Sequence, residues 1–117
     1  MNLKATSFAT RQDLANFGAC VTRGGSVQDC LNVGDNGVGA WGDPTWEPNA
    51  IPPIVAMPSP TPKHALVNVT MNGKTVECIV KDRSPHGVVD LSPSALKAFG
   101  LDPDTELLTQ ADVEIQT

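Results

Sequence analysis

The 117-residue chain has no apolar run of about 18 residues and no signal-peptide hydrophobic region after Met1, so no segment is expected to cross a membrane or address the chain for export. A removed leader or another delivery route is the expectation. Positive charge is scarce as well. Eight Lys and Arg stand against 13 Asp and Glu, a net charge of −5, which leaves no basic stripe for phosphates and argues against nucleic acid or an anionic surface as partner. No C-x-x-C occurs, which weakens zinc and thioredoxin-like readings. Only 18% of residues are charged and 40% are hydrophobic, a balance that excludes a disordered chain. Ten glycines and ten prolines point instead to a turn-rich, mainly β domain, and the length fits one domain over 1–117.

The clearest local pattern is "ALVNVTMNGKTVECIVKD". Asn72-Gly73 supplies two positive-φ residues for a type I′ turn between alternating runs. Counting outward sets Met71 opposite Lys74, Val69 opposite Val76, Val67 opposite Cys78 and Ala65 opposite Val80, so one face gathers the valines, the alanine and Cys78. With Cys78 a core thiol, Cys20–Cys30 is the candidate disulfide; three free thiols in a reducing compartment is the equal alternative. Asp82 continues the parity of Val80 and is expected at the rim of the apolar face, where partial desolvation favours the protonated acid.

Around the hairpin, residues 3–8 suggest a first strand, and "QDLANF" a single helical turn at 12–17. Residues 18–53 suggest a long Gly/Pro-rich loop region, and "IVAMP" at 54–58 a short buried strand. "PSPTPK" is a proline-stiffened connection. Ser92 fits an N-cap, Pro93 the first helical position and Gly100 the C′ position of a short helix. "LDPDTELL" then makes a turn, and 113–117 forms a last strand.

Several motifs have plain explanations. "GVGAWG" at 37–42 spells G-x-G-x-x-G without the preceding strand or following helix that dinucleotide binding needs. "NVT" at 68–70 is a formal glycosylation sequon inside the hairpin. His64 and His86 are too few and too isolated for a metal site, and no cofactor is expected. His86 nevertheless lies in the loop between Asp82 and Asp90 and could touch a ligand. Trp41 and Trp46 could stack on a sugar ring or plug a small core.

The stretch "KDRSPHGVVDLSP" resembles the second half of the double-psi β-barrel shared by rare-lipoprotein-A-like lytic transglycosylases, expansins and barwin-related endoglucanases. The matching elements are Asp82, Pro85 and Asp90-Leu91-Ser92, preceded by the strand-turn-strand "VNVTMNGKTVECIVKD", by "IVAMP" and by "KATSF". The resemblance covers roughly 3–7 and 54–117. It implies a six-stranded barrel with one or two short helices and a polysaccharide groove, with Asp82 as catalytic acid, Asp90 as second aspartate and Thr6 as groove hydroxyl. Asp43, Trp41, Ser84 and His86 complete the expected substrate-binding set. Met57 stands where the transglycosylase branch has histidine, and Ser84 where the expansin branch has an aromatic residue. No tyrosine is present, which leaves targeting or extra affinity to a partner protein.

On this reading the protein acts on peptidoglycan or another wall glycan outside the cytoplasm, or is carried there by a phage or secretion apparatus. Asp82 would protonate the glycosidic oxygen and then deprotonate the muramyl C6 hydroxyl, so that cleavage needs no second carboxylate. Hydrolysis would need a partner such as Asp43 or Glu47 at about 6.5–9.5 Å for an inverting enzyme. Two further readings are an expansin-like wall-loosening module without bond cleavage, and an inhibitor or assembly part that leaves the groove unused. Asp82 could also merely pair with Arg83, and Asp90 merely accept backbone N–H groups at the helix start.

Overall fold

The computed structural model describes residues 1–105 and 109–116. In chain order its elements are β1 (Asn2–Ser7), α1 (Arg11–Thr22), α2 (Val27–Leu31), β2 (Ile54–Met57), β3 (Leu66–Met71), β4 (Lys74–Arg83), β5 (Val88–Leu91), α3 (Pro93–Ala98) and β6 (Thr109–Ile115). The six strands close into a barrel in the order β1-β5-β2-β4-β3-β6. Two neighbouring pairs, β1 with β5 and β2 with β4, run parallel, and the other pairs are antiparallel. The expected mainly β, six-stranded barrel is therefore present, with three short helices.

The β3–β4 hairpin has the expected register, including Val67 opposite Cys78, with Asn72 and Gly73 at φ 52° and 78°. Its inward residues Val67, Val69, Cys78 and Val80 join Ala5, Val55, Met57, Val89, Leu91, Leu96 and Val113 in one core. Burial pushes the Cys78 thiol up to about 12, and the group stays a neutral apolar filler. Met57, the position matched by resemblance to a transglycosylase histidine, is fully buried in this core.

One expectation about parity is corrected. Val55 pairs with Val80, but Ala56 pairs with Asp82, leaving Lys81 as an extra residue in β4. Such a bulge resets which side chains share a face. Ala56 lies between the inward residues Val55 and Met57 and packs with Phe8 and Ala9 outside the core. Asp82, its lateral partner, shares that outer face instead of the rim of the hairpin's apolar face.

The helical content of the first half exceeds the single turn and long loop expected. Thr10 opens α1 through a capping box: Thr10 Oγ1 accepts from Asp13 N at 3.2 Å, and Thr10 N donates to Asp13 Oδ2 at 3.3 Å. Helix α2 follows a Ser26 cap, and a Cys20–Cys30 disulfide ties the two helices together. Ser92 occupies the N-cap of α3, but its hydroxyl donates to Ile54 O at 2.6 Å, fastening α3 to β2. Gly100 follows α3 at φ 79°, where a left-handed residue was expected. The turn expected over 101–108 runs into 106–108, and Thr117 ends the last expected strand; these four residues lie outside the described ones. No helix of the described residues is long and apolar enough to cross a membrane.

Candidate functional site

The barrel wall sets four residues side by side across four neighbouring strands. Thr6 of β1 pairs with Asp90 of β5, Asp90 with Ala56 of β2, and Ala56 with Asp82 of β4. Laterally paired residues project from the same face of a sheet, so this row presents a hydroxyl and two carboxylates on the outer wall, separated by the small Ala56. Thr6 Oγ1 donates to Asp90 Oδ1 at 2.8 Å. The sequence resemblance had singled out all three polar members. Their meeting depends on the bulge at Lys81, a feature of β2–β4 pairing with no local signature.

The two carboxylates differ in setting. Burial pushes the Asp90 carboxyl up to about 6; the Thr6 bond opposes this, and the charges of Asp82, Asp35 and Asp13 add to it. Asp82 Oδ1 accepts two backbone bonds, from Ala40 N at 2.7 Å and from Arg83 N at 2.8 Å. The Arg83 guanidinium turns elsewhere, donating to Thr61 O at 2.7 Å and lying 4.8 Å from the Trp41 ring centroid. Arg83 thus meets Asp82 through its backbone, and no salt bridge joins the two side chains.

Two acids escaped the sequence reading. Asp35 is raised, first by burial, then by Asp82 and Asp13, against the lowering effect of its bond from Gly37 N. Asp35 N donates to Asp13 O at 3.0 Å, and a β-carbon on Gly34 would collide with that carbonyl, so the chain after α2 is pressed against α1. For Asp13 the signal was readable, since "TRQD" at 10–13 is a capping-box pattern. Asp35 had no comparable mark.

The other expected site residues lie apart from the row. Asp43 sits with His64, whose Nε2 is 2.8 Å from Asp43 Oδ2, and this bond holds the Asp43 carboxyl below its usual range. Glu47 is exposed and accepts from Asn49 N at 3.0 Å. Ser84 is buried, and its hydroxyl donates to Val88 O, at the start of β5, at 2.6 Å. His86 lines a separate apolar groove of about 550 Å³ with Leu3, Pro58, Pro60, Pro62 and Ile115. A second hollow of about 310 Å³ lies between Pro48 and Ala98. Neither hollow is lined by Asp82 or Asp90. Trp41 packs partly buried on the barrel core, while Trp46 is more exposed. Among the described residues, no three or more metal-ligating side chains converge.

No family model matches the chain, and no curated protein matches its sequence. A solved structure, the Streptomyces papain inhibitor, is similar over 100% of this chain and 94% of its own, with 20% identity and a TM-score of 0.56. At that identity the likeness is one of fold. The chain is a closed, six-stranded β-barrel carrying an outer-face Thr6–Asp90–Asp82 row.

Proposed function

We propose that this barrel acts on a cell-wall polysaccharide and cleaves peptidoglycan glycan strands in the manner of a lytic transglycosylase, with Asp90 as the proton-carrying acid. The supporting observation is the lateral row. It sets a carboxyl raised to about 6 beside a second carboxylate and a hydroxyl, a combination suited to proton transfer in mildly acidic surroundings. The role first assigned to Asp82 moves to Asp90 because burial there favours the neutral acid.

In the proposed reaction Asp90 gives its proton to the glycosidic oxygen as the bond to the muramyl C1 breaks. The resulting carboxylate takes the proton of the C6 hydroxyl, whose oxygen bonds to C1 and closes the anhydro ring. No water is consumed, and one acid serves both steps. Asp82 offers a carboxylate near the positive charge that develops at C1, and Thr6 keeps the Asp90 carboxyl oriented. The disulfide is compatible with an oxidising, extracytoplasmic setting.

Digestion of purified sacculi by wild type, Asp90→Asn and Asp82→Asn, with mass spectrometry of the soluble products, tests the assignment. Anhydro-muropeptides from wild type, a loss of about 100-fold or more in Asp90→Asn, and a rate that falls about tenfold per pH unit above 6 are expected. Retained sacculus binding without soluble products would point to a wall-loosening module. A second reading, a protein-binding inhibitor barrel, draws on the papain inhibitor's likeness along the whole chain. Inhibition of a papain-like protease with no affinity for sacculi would favour it.

A further inference from the structure

We propose that residues 37–45 form a hinged strap that closes the acid row by occupying Asp82, and that it must lift before a glycan reaches the row. The proposal rests on the polysaccharide reading above for its ligand, and on the geometry of the strap for its motion.

The segment is a miniature hairpin. Thr45 N donates to Gly37 O at 2.8 Å, Val38 and Pro44 form an antiparallel bridge, and Gly39 N donates to Asp43 O at 2.7 Å. Gly37 at φ 74° and Gly42 at φ 88° supply positive-φ positions in the strap, conformations that other residues rarely adopt. This is the "GVGAWG" stretch, and its glycines serve close packing and turning of the backbone. Gly39 lies so near β4 that a β-carbon there would collide with the Lys81 carbonyl oxygen.

Besides the partly buried packing of Trp41 on the barrel core, three contacts latch the strap to the barrel. Ala40 N donates to Asp82 Oδ1 at 2.7 Å, the Trp41 ring stacks on the Arg83 guanidinium, and Asp43 meets His64 at 2.8 Å. Ala40 and His64 are exposed, so water competes for their bonds and each latch is weak alone. The closed form also carries a cost. Thr45 is fully buried, and its Oγ1 has no protein partner among the described residues. Weak latches set against a buried orphan hydroxyl make a strap that can open without unfolding the barrel.

The chemistry of the latches matches the ligand proposed. A sugar hydroxyl can donate to Asp82 Oδ1 in place of the Ala40 amide. Trp41, once off Arg83, offers an apolar face to a sugar ring. The strap thus stands in for the ligand while the site is empty.

Hydrogen exchange followed by NMR tests this without any glycan. The Ala40 amide reports the strap, and the Val80 amide, bonded to Ala65 O, reports the barrel. In His64→Ala, Ala40 exchange is expected to rise about tenfold with Val80 unchanged. In Thr45→Val, which removes the orphan hydroxyl, Ala40 exchange is expected to slow several-fold. Equal changes at Ala40 and Val80, or no change at Ala40 in either variant, would overturn the strap. Gly39→Val, whose side chain bars docking, is expected to bind sacculi several-fold more tightly than wild type. A lifted strap in that variant with unimproved binding would overturn gating. Absence of sacculus binding by either protein would instead overturn the polysaccharide reading, with strap motion still decided by exchange.

Discussion

The barrel and the arm that precedes β2 are held together by different physics. In the barrel, every strand contributes inward apolar residues to one continuous core, and Val55, Val67, Val80, Val89 and Leu91 are fully buried. In the arm, α1 buries no residue completely, and Cys30 is the one buried residue of α2. Capping, a disulfide, the backbone bond from Asp35 N to Asp13 O and the bond from Gly37 N to the Asp35 carboxylate do there what hydrophobic burial does in the barrel. The difference teaches where movement is affordable. The acid row lies at the seam, built on rigid strands and met at Asp82 by a segment whose residues 37–44 are all at least partly exposed, so its carboxylates can stay fixed while access to them changes.

The largest expected effect falls on the barrel. Leu91→Ala removes a fully buried side chain from the core and is expected to cost about 2–5 kcal/mol of global stability, read from denaturant midpoints. A substitution one residue away, on the opposite face, should act with the opposite sign. Asp90 holds its proton up to about 6 when folded, against 3.8 for an ordinary aspartate, so the folded state binds more protons than the unfolded state in that window. Stability from this group is therefore fully present below pH 3.8 and is lost as pH rises through 6. Asp90→Asn keeps an oxygen for the Thr6 hydroxyl and removes the buried charge. It is expected to gain up to roughly 3 kcal/mol over wild type at pH 7 and almost none at pH 3.5, from paired unfolding curves.

The arm should respond locally. Replacing both Cys20 and Cys30 by serine opens a closure across 10 residues of sequence separation, which a chain-entropy account values at roughly 2–3 kcal/mol. Exchange in α1 and α2 should quicken while barrel amides such as Val80 keep their protection; loss of both together would show that the arm is part of the barrel's cooperative unit. Thr10→Ala, which deletes half of the capping box, is expected to cost about 1 kcal/mol, again seen first in α1 exchange.

The same contrast explains how much of the protein could be read in its sequence. The hairpin was legible because Asn72-Gly73 fixes a turn and strict alternation fixes a register, both local properties. The boundaries of α3 were legible for the same reason, in Pro93 and Gly100. The face on which Asp82 lies was not, because the extra residue Lys81 is defined only against β2, which lies more than twenty residues earlier. The arm was underread for another cause: its helices lack a strong apolar stripe and depend on the cap in "TRQD" and on the disulfide. Thr6 and Asp90 were found through a family resemblance and Asp82 also through the hairpin's alternation, whereas the difference in setting between the two aspartates follows from burial, which is a property of the folded wall.

The proton-carrying role proposed for Asp90 is tested most directly by following its side-chain carboxyl carbon by NMR through a pH titration of the folded protein. A midpoint near 6 that falls in Asp82→Asn is the expected result, since the charge of Asp82 contributes to the shift. A midpoint in the ordinary aspartate range near 3.8, unchanged by that substitution, would contradict the account.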